Sequence, residues 1–326
     1  MNLARCRRLF VKLAENKILS AVTVDSSDIF YFTGMQSAGC LLLFHKNRAV
    51  LFVNSLYPRR AKWIQPYSEF KKQPLRKVAF EPGKIPYEAV VKLRKDLKIL
   101  LQPVENLFSR VRAVKEKPEI EKIARAQALA KRMVSLIKLE SGMTEKDVLS
   151  RISRTAFGLA CGPAYPPVVA FGKNTFFPHH TAGKKKYRCG ETVLIDAGVK
   201  LSGYCSDLTR MRGLFTIKNR LEKAYRAVEK SREVALGQIA PGVRIGSIDE
   251  AVRDFLAKAG FEKNILHSTG HGIGIDVHEW PPISKGVKEK FEKGMVFTLE
   301  PGLYFEGYGG VRLEDVYVLE DKARLL

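Results

Sequence analysis

The chain has 326 residues, 45% of them apolar and 28% charged, which is long enough for about two globular domains of ordinary folded composition. No apolar run approaches the roughly 20 residues that span a bilayer. The five cysteines are scattered, odd in number and free of CxxC spacing, which argues against a disulfide framework or a zinc finger and for a reducing cytoplasm.

The net charge of +22 is the compositional oddity. Lys and Arg outnumber Asp and Glu by 20 to 8 up to position 110 and by 36 to 26 beyond it, so the excess runs along the whole chain. Such a surface attracts nucleic acid non-specifically. No RNP-like segment, Cys/His finger or long polybasic tail accompanies it, so a solvated basic surface is the expectation.

In chain order, MNLARCRRLFVKLAENK reads as an amphipathic first helix rather than a signal peptide, because Lys12 and Glu15 break its apolar stretch. AVTVDSSDIFYFTG alternates strand and turn signals, and GCLLLFHKNRAVLFVNS reads as two strands around a His-Lys-Asn-Arg turn. YEAVVKLRKDLKILLQP has helical character up to Pro103. VRAVKEKPE, with Pro118 near a helix start, reads as a linker between residues 1–110 and 111–326.

Beyond the linker a helix is expected from about 118 to 140, broken at Ser141-Gly142, and a second from Thr144, where TEKD has the form of a capping box. The pattern returns about a hundred residues later. A helix from about 219 to 238 is broken by Pro241-Gly242, and another starts at Ser247, where SIDE is again box-like. Strand-like segments follow each pair, which points to an internal duplication of two αα-β-hairpin halves.

Chemistry concentrates in five segments of this second part: VLIDAG, YCSDLTR, STGHGIG, TLEPGLY and VRLED, carrying Asp196, Asp207, His271, Glu300 and Glu314. Four carboxylates and one imidazole suit a pair of divalent cations bridged by a hydroxide able to attack an amide at neutral pH. ETVLIDAGVKLSGYCSDLTRMRG reads as a hairpin turning near Leu201–Gly203, with Asp196 and Asp207 roughly opposite each other. Facing buried carboxylates destabilise a strand pair unless a cation neutralises them. Any single D-G or S-D pair is more simply a solvated turn; three further ligands in sequence weigh against that here.

His271 stands within 12 positions of His267 and His278, half of the chain's six histidines, although a lone histidine is more often structural. Glu300 ends an apolar run at a Pro-Gly turn. In GGVRLEDVYVL the period-2 alternation puts Arg312 and Glu314 on one face, and Asp315 points away. The donor set fits Mn²⁺, Co²⁺, Fe²⁺ or Zn²⁺ better than a soft thiolate metal.

FPHHTAG, GETVLIDAG, GYCSDLTR, GHGIGIDVHEWP, GMVFTLEPGLY and GGVRLED, in this order, resemble the pita-bread-fold metallopeptidases, a family that includes methionine aminopeptidases, Xaa-Pro aminopeptidases and Xaa-Pro dipeptidases (prolidases). The resemblance implies an α+β chain. Residues 111–326 would form the pita-bread domain, two pseudo-duplicated αα-β-hairpin halves around a curved antiparallel sheet. Residues 1–110 would form a smaller mixed α/β creatinase-like domain. The implied ligands of two metal ions, Mn²⁺ or Co²⁺ before Zn²⁺ or Fe²⁺, are Asp196, Asp207, His271, Glu300 and Glu314, with Asp207 and His271 on different cations. His179 matches the family's PH histidine, 17 residues before Asp196, rather than its neighbour His180. His278 matches the histidine that steadies the substrate carbonyl as it becomes tetrahedral, and His267 a residue of the proline pocket. Tyr304 and Arg312 fall on positions near the substrate.

DIFYFTG and the following LLLF and AVLFV strands resemble the N-terminal domain of the creatinase and prolidase branch, which methionine aminopeptidases lack. Its length suits the compact prokaryotic prolidase type and implies a homodimer. Glu191 and Val316 stand where the family usually has aspartate, and ACGPAYPPVVAFGKN departs from the pattern around the S1 pocket; no ligand is lost. The implied activity is cleavage of Xaa-Pro dipeptides with Glu300 as general base, His278 holding the oxyanion, His179 positioning the scissile amide, and Arg312 with the pocket histidines meeting the proline carboxylate. The alternatives are an Xaa-Pro aminopeptidase acting on longer peptides, a non-catalytic nucleic-acid-binding relative of the fold, and creatine amidinohydrolase-like chemistry, which needs no such metal set.

Overall fold

The computed structural model describes residues 1–36, 38–57, 61–213 and 220–326, with the side chains of 96 and 97 excepted. The chain divides into two compact units, Met1–Arg112 and Ala113–Leu326.

The first unit opens with helix α1 (Leu3–Glu15), capped by the Asn2 side chain accepting from Arg5 N, and strand β1 (Ser20–Thr23). The segment DSSDIFYFT, expected to be strand and turn, is instead helix α2 (Ser26–Thr33). Asp25 caps it by accepting from Asp28 N, and Gly34 ends it in the left-handed region at φ 73°. The β propensity of its aromatic residues yields to this cap and to burial of Ile29, Tyr31 and Phe32 on one side. Strands β2 (Leu41–His45) and β3 (Arg48–Val53) form the expected hairpin; Lys46 and Asn47 take φ 47° and 63°, as a two-residue turn requires.

Next come β4 (Ile64–Pro66), β5 (Lys77–Phe80), α3 (Tyr87–Leu97), β6 (Leu100–Pro103) and α4 (Leu107–Ala113). Helix α3 stops six residues before Pro103 because Lys98 turns left-handed, and LLQP pairs in parallel with β5 instead. The six strands form one mixed sheet in the order β4-β3-β2-β1-β5-β6, around a core that includes Val22, Leu43, Phe52, Val78 and Leu101. The division between the units falls within residues 111–119, where Val111, Arg112, Lys115 and Glu119 are buried.

The second unit repeats one plan twice. Helices α5 (Lys117–Ser135) and α6 (Glu145–Gly158) share one core with β8 (Val168–Phe171) and β9 (Val193–Asp196), preceded by the short β7 (Gly162–Pro163). Helix α5 ends before the expected 140; Arg212 Nη2 donates to Val134 O at 2.6 Å and takes up a carbonyl freed at that end. Helix α6 has the expected Thr144–Asp147 capping box. Strands β10 (Val199–Leu201), β11 (Tyr204–Cys205) and β12 (Thr209–Arg212) continue the hairpin, which turns at Ser202 (φ 50°) and Gly203 (φ 85°).

Helix α7 (Arg220–Gln238) then begins the second half; position 219, the expected start, lies outside the described residues. Helix α8 (Ile245–Lys258) starts two residues before Ser247, and SIDE forms no capping box. Glu250 pairs with Arg244 at 2.5 Å and Asp249 accepts from Thr269, so neither carboxylate is left to cap. Strands β13 (Gly270–Gly272), β14 (Glu279–Ile283), β15 (Val296–Leu299), β16 (Gly302–Phe305), β17 (Gly309–Arg312), β18 (Asp315–Leu319) and β19 (Ala323–Leu325) follow.

Each half has its own core. Ala126, Met133, Val148, Ile152, Phe171 and Ile195 pack together in the first. Ala224, Val228, Ile248, Val252, Phe297 and Val311 do so in the second. Full burial of each larger aliphatic side chain contributes about 1.5–3 kcal/mol. The halves meet at a bridge between Thr209 of β12 and Glu314, at the junction of β17 and β18.

Candidate metal centre

The meeting point of the halves carries the acidic residues. Asp196 ends β9 and pairs with Thr209, not with Asp207. The two-residue turn at 202–203 sets this register, so Asp207 lies two positions short of the facing residue; the sequence expectation of roughly opposed aspartates is off by that step. Asp207 is fixed through its backbone, whose carbonyl accepts from Gln127 Nε2 at 2.9 Å. The two carboxylates nonetheless converge on one hydroxyl, because Tyr165 Oη lies 2.5 Å from Asp196 Oδ1 and also hydrogen-bonds Asp207 Oδ1.

From the second half, His271 on β13 places Nε2 at 3.3 Å from Glu300 Oε1 and 3.7 Å from Asp207 Oδ2. Its Nδ1 lies 3.0 Å from Gly272 O. A carbonyl only accepts, so the ring proton is assigned to Nδ1 and the Nε2 lone pair faces the carboxylates. Glu314 Oε2 accepts from Thr209 Oγ1 at 2.7 Å. Asp315 turns the other way, held by Arg210 at 2.5 Å and Arg232 at 2.6 Å. Ligand atoms of Asp207, His271 and Glu314 all lie within 4.8 Å of one another, the one such grouping of three among the described residues.

The electrostatics call for a cation. Burial, then the neighbouring Asp196, pushes the Asp207 carboxyl well above its usual range. Burial, then Asp207 and Asp196, does the same to Glu314; burial, then Glu314, does it to Glu300. His271 is pushed down to about 4, by burial first and then by His278. Four carboxylates thus face one guanidinium, that of Arg312, whose Nη2 lies 2.6 Å from Asp196 Oδ2. Buried charge of one sign with a bare imidazole lone pair is a donor set that divalent cations satisfy.

The groups expected to meet substrate surround this cluster. Arg312 is engaged at all three nitrogens, by Thr209, Pro178 O, Tyr304 and Asp196. It donates to Tyr304 Oη at 2.9 Å, which lies 2.8 Å from His267 Nε2, while His267 Nδ1 lies 2.8 Å from Ser268 O. The relay fixes the tautomer: His267 carries its proton on Nδ1 and accepts from the tyrosine. Burial, then Arg312, lowers its pKa to about 4. His278 is exposed, with its ring 4.3 Å from that of His271. Its pKa is lowered by burial of part of the ring and then by His179. His179 is exposed and lies in electrostatic reach of both His267 and His278. His180 is held at 2.9 Å by the buried Glu145.

Sequence reasoning missed Tyr165, Thr209 and Gln127. The alternation from Asp207 to Thr209 was a usable signal, since period 2 puts both on one face. Nothing local marks Tyr165, which comes from the atypical segment before β8, or Gln127, which comes from a helix 80 residues away.

Paired half-domains with an acid–imidazole cluster at their junction define a metal-dependent hydrolase. Residues 121–321 match the model of metallopeptidase family M24, and the chain belongs to that family as a metal-dependent peptidase. Residues 5–114 match the creatinase/prolidase N-terminal domain. An Xaa-Pro dipeptidase of Pyrococcus horikoshii is 28% identical over 97% of this chain and 94% of its own length. An uncharacterized peptidase of Staphylococcus epidermidis is 31% identical, over 92% of each chain. The crystal structure of the prolidase from P. horikoshii superposes with a TM-score of 0.92 at 26% identity, covering 99% of this chain and 97% of that one. No helix among the described residues is long and apolar enough to cross a membrane.

Proposed function

We propose that the chain is an Xaa-Pro dipeptidase that works with two divalent cations, Mn²⁺ or Co²⁺ by preference, as a homodimer in the cytoplasm. The observation that carries this reading is the placing of His179, His267 and His278 around the Asp207–His271–Glu314 cluster. An Xaa–Pro amide has no N–H, so a site for it must work through shape and through groups that meet the two carbonyls and the terminal carboxylate. Histidines supply such groups without demanding an amide proton. Five free thiols, four of them buried, fit a reducing compartment. The basic surface would give nucleic acid non-specific contact only.

Asp196, Asp207, His271, Glu300 and Glu314 would hold the cations. When bound, these lower the pKa of water and polarise a carbonyl. Glu300, at the end of β15 with its backbone N–H fixed by Thr269 O at 2.8 Å, is the general base that takes the proton of the attacking water and passes it to the leaving prolyl nitrogen. His278 meets the carbonyl oxygen as charge develops on it, and His179 aligns the scissile amide. Arg312 holds Asp196 and, through Tyr304, His267. Its second Nη2 N–H and the pocket histidines would meet the proline carboxylate.

The test is chelation followed by Mn²⁺ or Co²⁺, with proline release followed from an Xaa-Pro dipeptide beside an Xaa-Pro-Xaa tripeptide. Metal-restored cleavage of the dipeptide alone supports the proposal. Cleavage of the tripeptide makes it an Xaa-Pro aminopeptidase, and no turnover of either with metal bound sinks both.

A further inference from the structure

His278 has no hydrogen-bond partner of its own among the described residues, yet it must be held still to act on a carbonyl. The loop that carries it, residues 273–279 with the first residue of β14 included, is tied down by its neighbours. Cys205 N donates to Gly274 O at 2.7 Å, and Lys200 Nζ donates to Ile275 O at 2.8 Å. The strongest tie is Glu279, which follows His278. Its Oε1 accepts from Ile275 N at 2.8 Å and Asp276 N at 3.1 Å, closing the loop on itself. Its Oε2 meets Lys115 Nζ at 3.1 Å, with the two side chains only 1% and 5% exposed. Gly274 leaves the room for this, since a Cβ there would lie 2.8 Å from both Glu279 oxygens. Lys115 is itself anchored, its backbone N–H donating to Gly294 O at 2.9 Å beside the bridge from Val114 to Met295.

We propose that Lys115 and Glu279 are positioning residues for catalysis: the buried ion pair fixes the 273–279 loop and thereby the place of the His278 imidazole beside His271. Such a pair is a poor source of stability, because desolvating both charges offsets most of their attraction. It is a good source of geometry, because one oxygen serves the loop amides while the other faces an anchored cation. The pair acts at neither metal nor substrate, and its effect passes through His278. The inference rests on the role given to His278 above.

The test combines Lys115→Met with His278→Ala in the metal-loaded protein and follows kcat and KM on an Xaa-Pro dipeptide. K115M is expected to lower kcat by roughly 10- to 100-fold, the range that displacement of a catalytic group costs, with KM little changed. In the H278A background it is expected to cost almost nothing more, because the group it positions is gone. Lys115→Arg is expected to restore part of the rate. In the metal-free protein, K115M is expected to speed amide exchange at Ile275 and Asp276 and to shift the His278 imidazole resonance. Should K115M not fold, Glu279→Gln keeps an oxygen for the two amides while removing the charge facing Lys115, and it is read the same way. A lowered melting temperature with unchanged kcat, or losses that multiply with those of H278A, would overturn the inference. Normal turnover by H278A would remove the role given to His278; amide exchange and the imidazole resonance would still decide whether the pair holds the loop.

Discussion

Tyr165 Oη lies 2.5 Å from Asp196 Oδ1 while also hydrogen-bonding Asp207 on its other side. A phenol has one proton and can donate to only one carboxylate at a time. The other contact is tolerable only if the second acid carries a proton or a cation shares the space. Burial, then Asp196 and Asp207, pushes the phenol itself well above its ordinary pKa, so Tyr165 remains a neutral donor. This hydroxyl orients both first-half carboxylates at once.

Tyr165→Phe removes that orientation and nothing of the ring. Divalent-cation affinity is expected to fall by roughly 10- to 100-fold, the usual loss when a partner of a metal ligand is deleted. Calorimetric titration of the metal-free protein with Mn²⁺ checks it. Unchanged affinity would show that the backbone alone sets Asp196 and Asp207.

Gly198→Ala tests the same region by crowding. A Cβ there would lie 2.0 Å from Ser206 O and 2.7 Å from Tyr165 Cε1, so backbone and ring must both move. The expected outcome is a large drop in melting temperature, or no soluble protein, where a surface substitution would change stability by less than about 0.5 kcal/mol.

Glu300→Gln keeps the shape and removes the proposed base. A fall in kcat of about 10²- to 10⁴-fold is expected. Steady-state kinetics with metal content measured alongside separates lost base from lost ligand. Near-normal turnover at full metal occupancy would eliminate Glu300 as the base.

Removing bound metal is expected to destabilise the fold as well as stop the reaction, because the residues proposed to hold it come from both halves. At a free cation concentration 100 times the dissociation constant, binding stabilises the folded chain by about 2.7 kcal/mol. Thermal unfolding with chelator and with added Mn²⁺ is expected to show the difference. Coincident melting curves would mean that the cluster does not bind the ion tightly.

Glu145 supplies a pH dependence away from the ligands. Burial alone would raise its carboxyl, but hydrogen bonds from His180, Asn174, Gly183 N and Phe171 N outweigh this and lower it. A depressed carboxyl contributes stability that is present above its unfolded value of about 4.3 and is lost as pH falls through the folded value. Glu145→Gln is therefore expected to lower stability at neutral pH and to flatten the loss on acidification. Denaturant midpoints from pH 7 to 3 decide it; parallel curves for the two proteins would show that Glu145 contributes nothing to acid sensitivity.

Features whose physics is local were legible in the amino-acid order. The Thr144–Asp147 capping box and the Lys46–Asn47 turn depend on residues a few positions apart, and both form as read. The five acid and imidazole residues were visible because each sits in a short segment of distinctive composition. Where local signals competed, reading failed. Ile29–Phe32 has strand-like residues but a helix cap, and Leu100–Pro103 has helical flanks but a sheet edge to complete. The register that sets Thr209 against Asp196 needed the exact turn, because one turn residue more or less moves every pair along the hairpin. Only the folded chain brought Tyr165 and Gln127 to the aspartates and Lys115 to Glu279, which lies 164 positions away. Such contacts link elements whose sequences carry no mark of one another, and they form only once the packed chain brings those elements side by side.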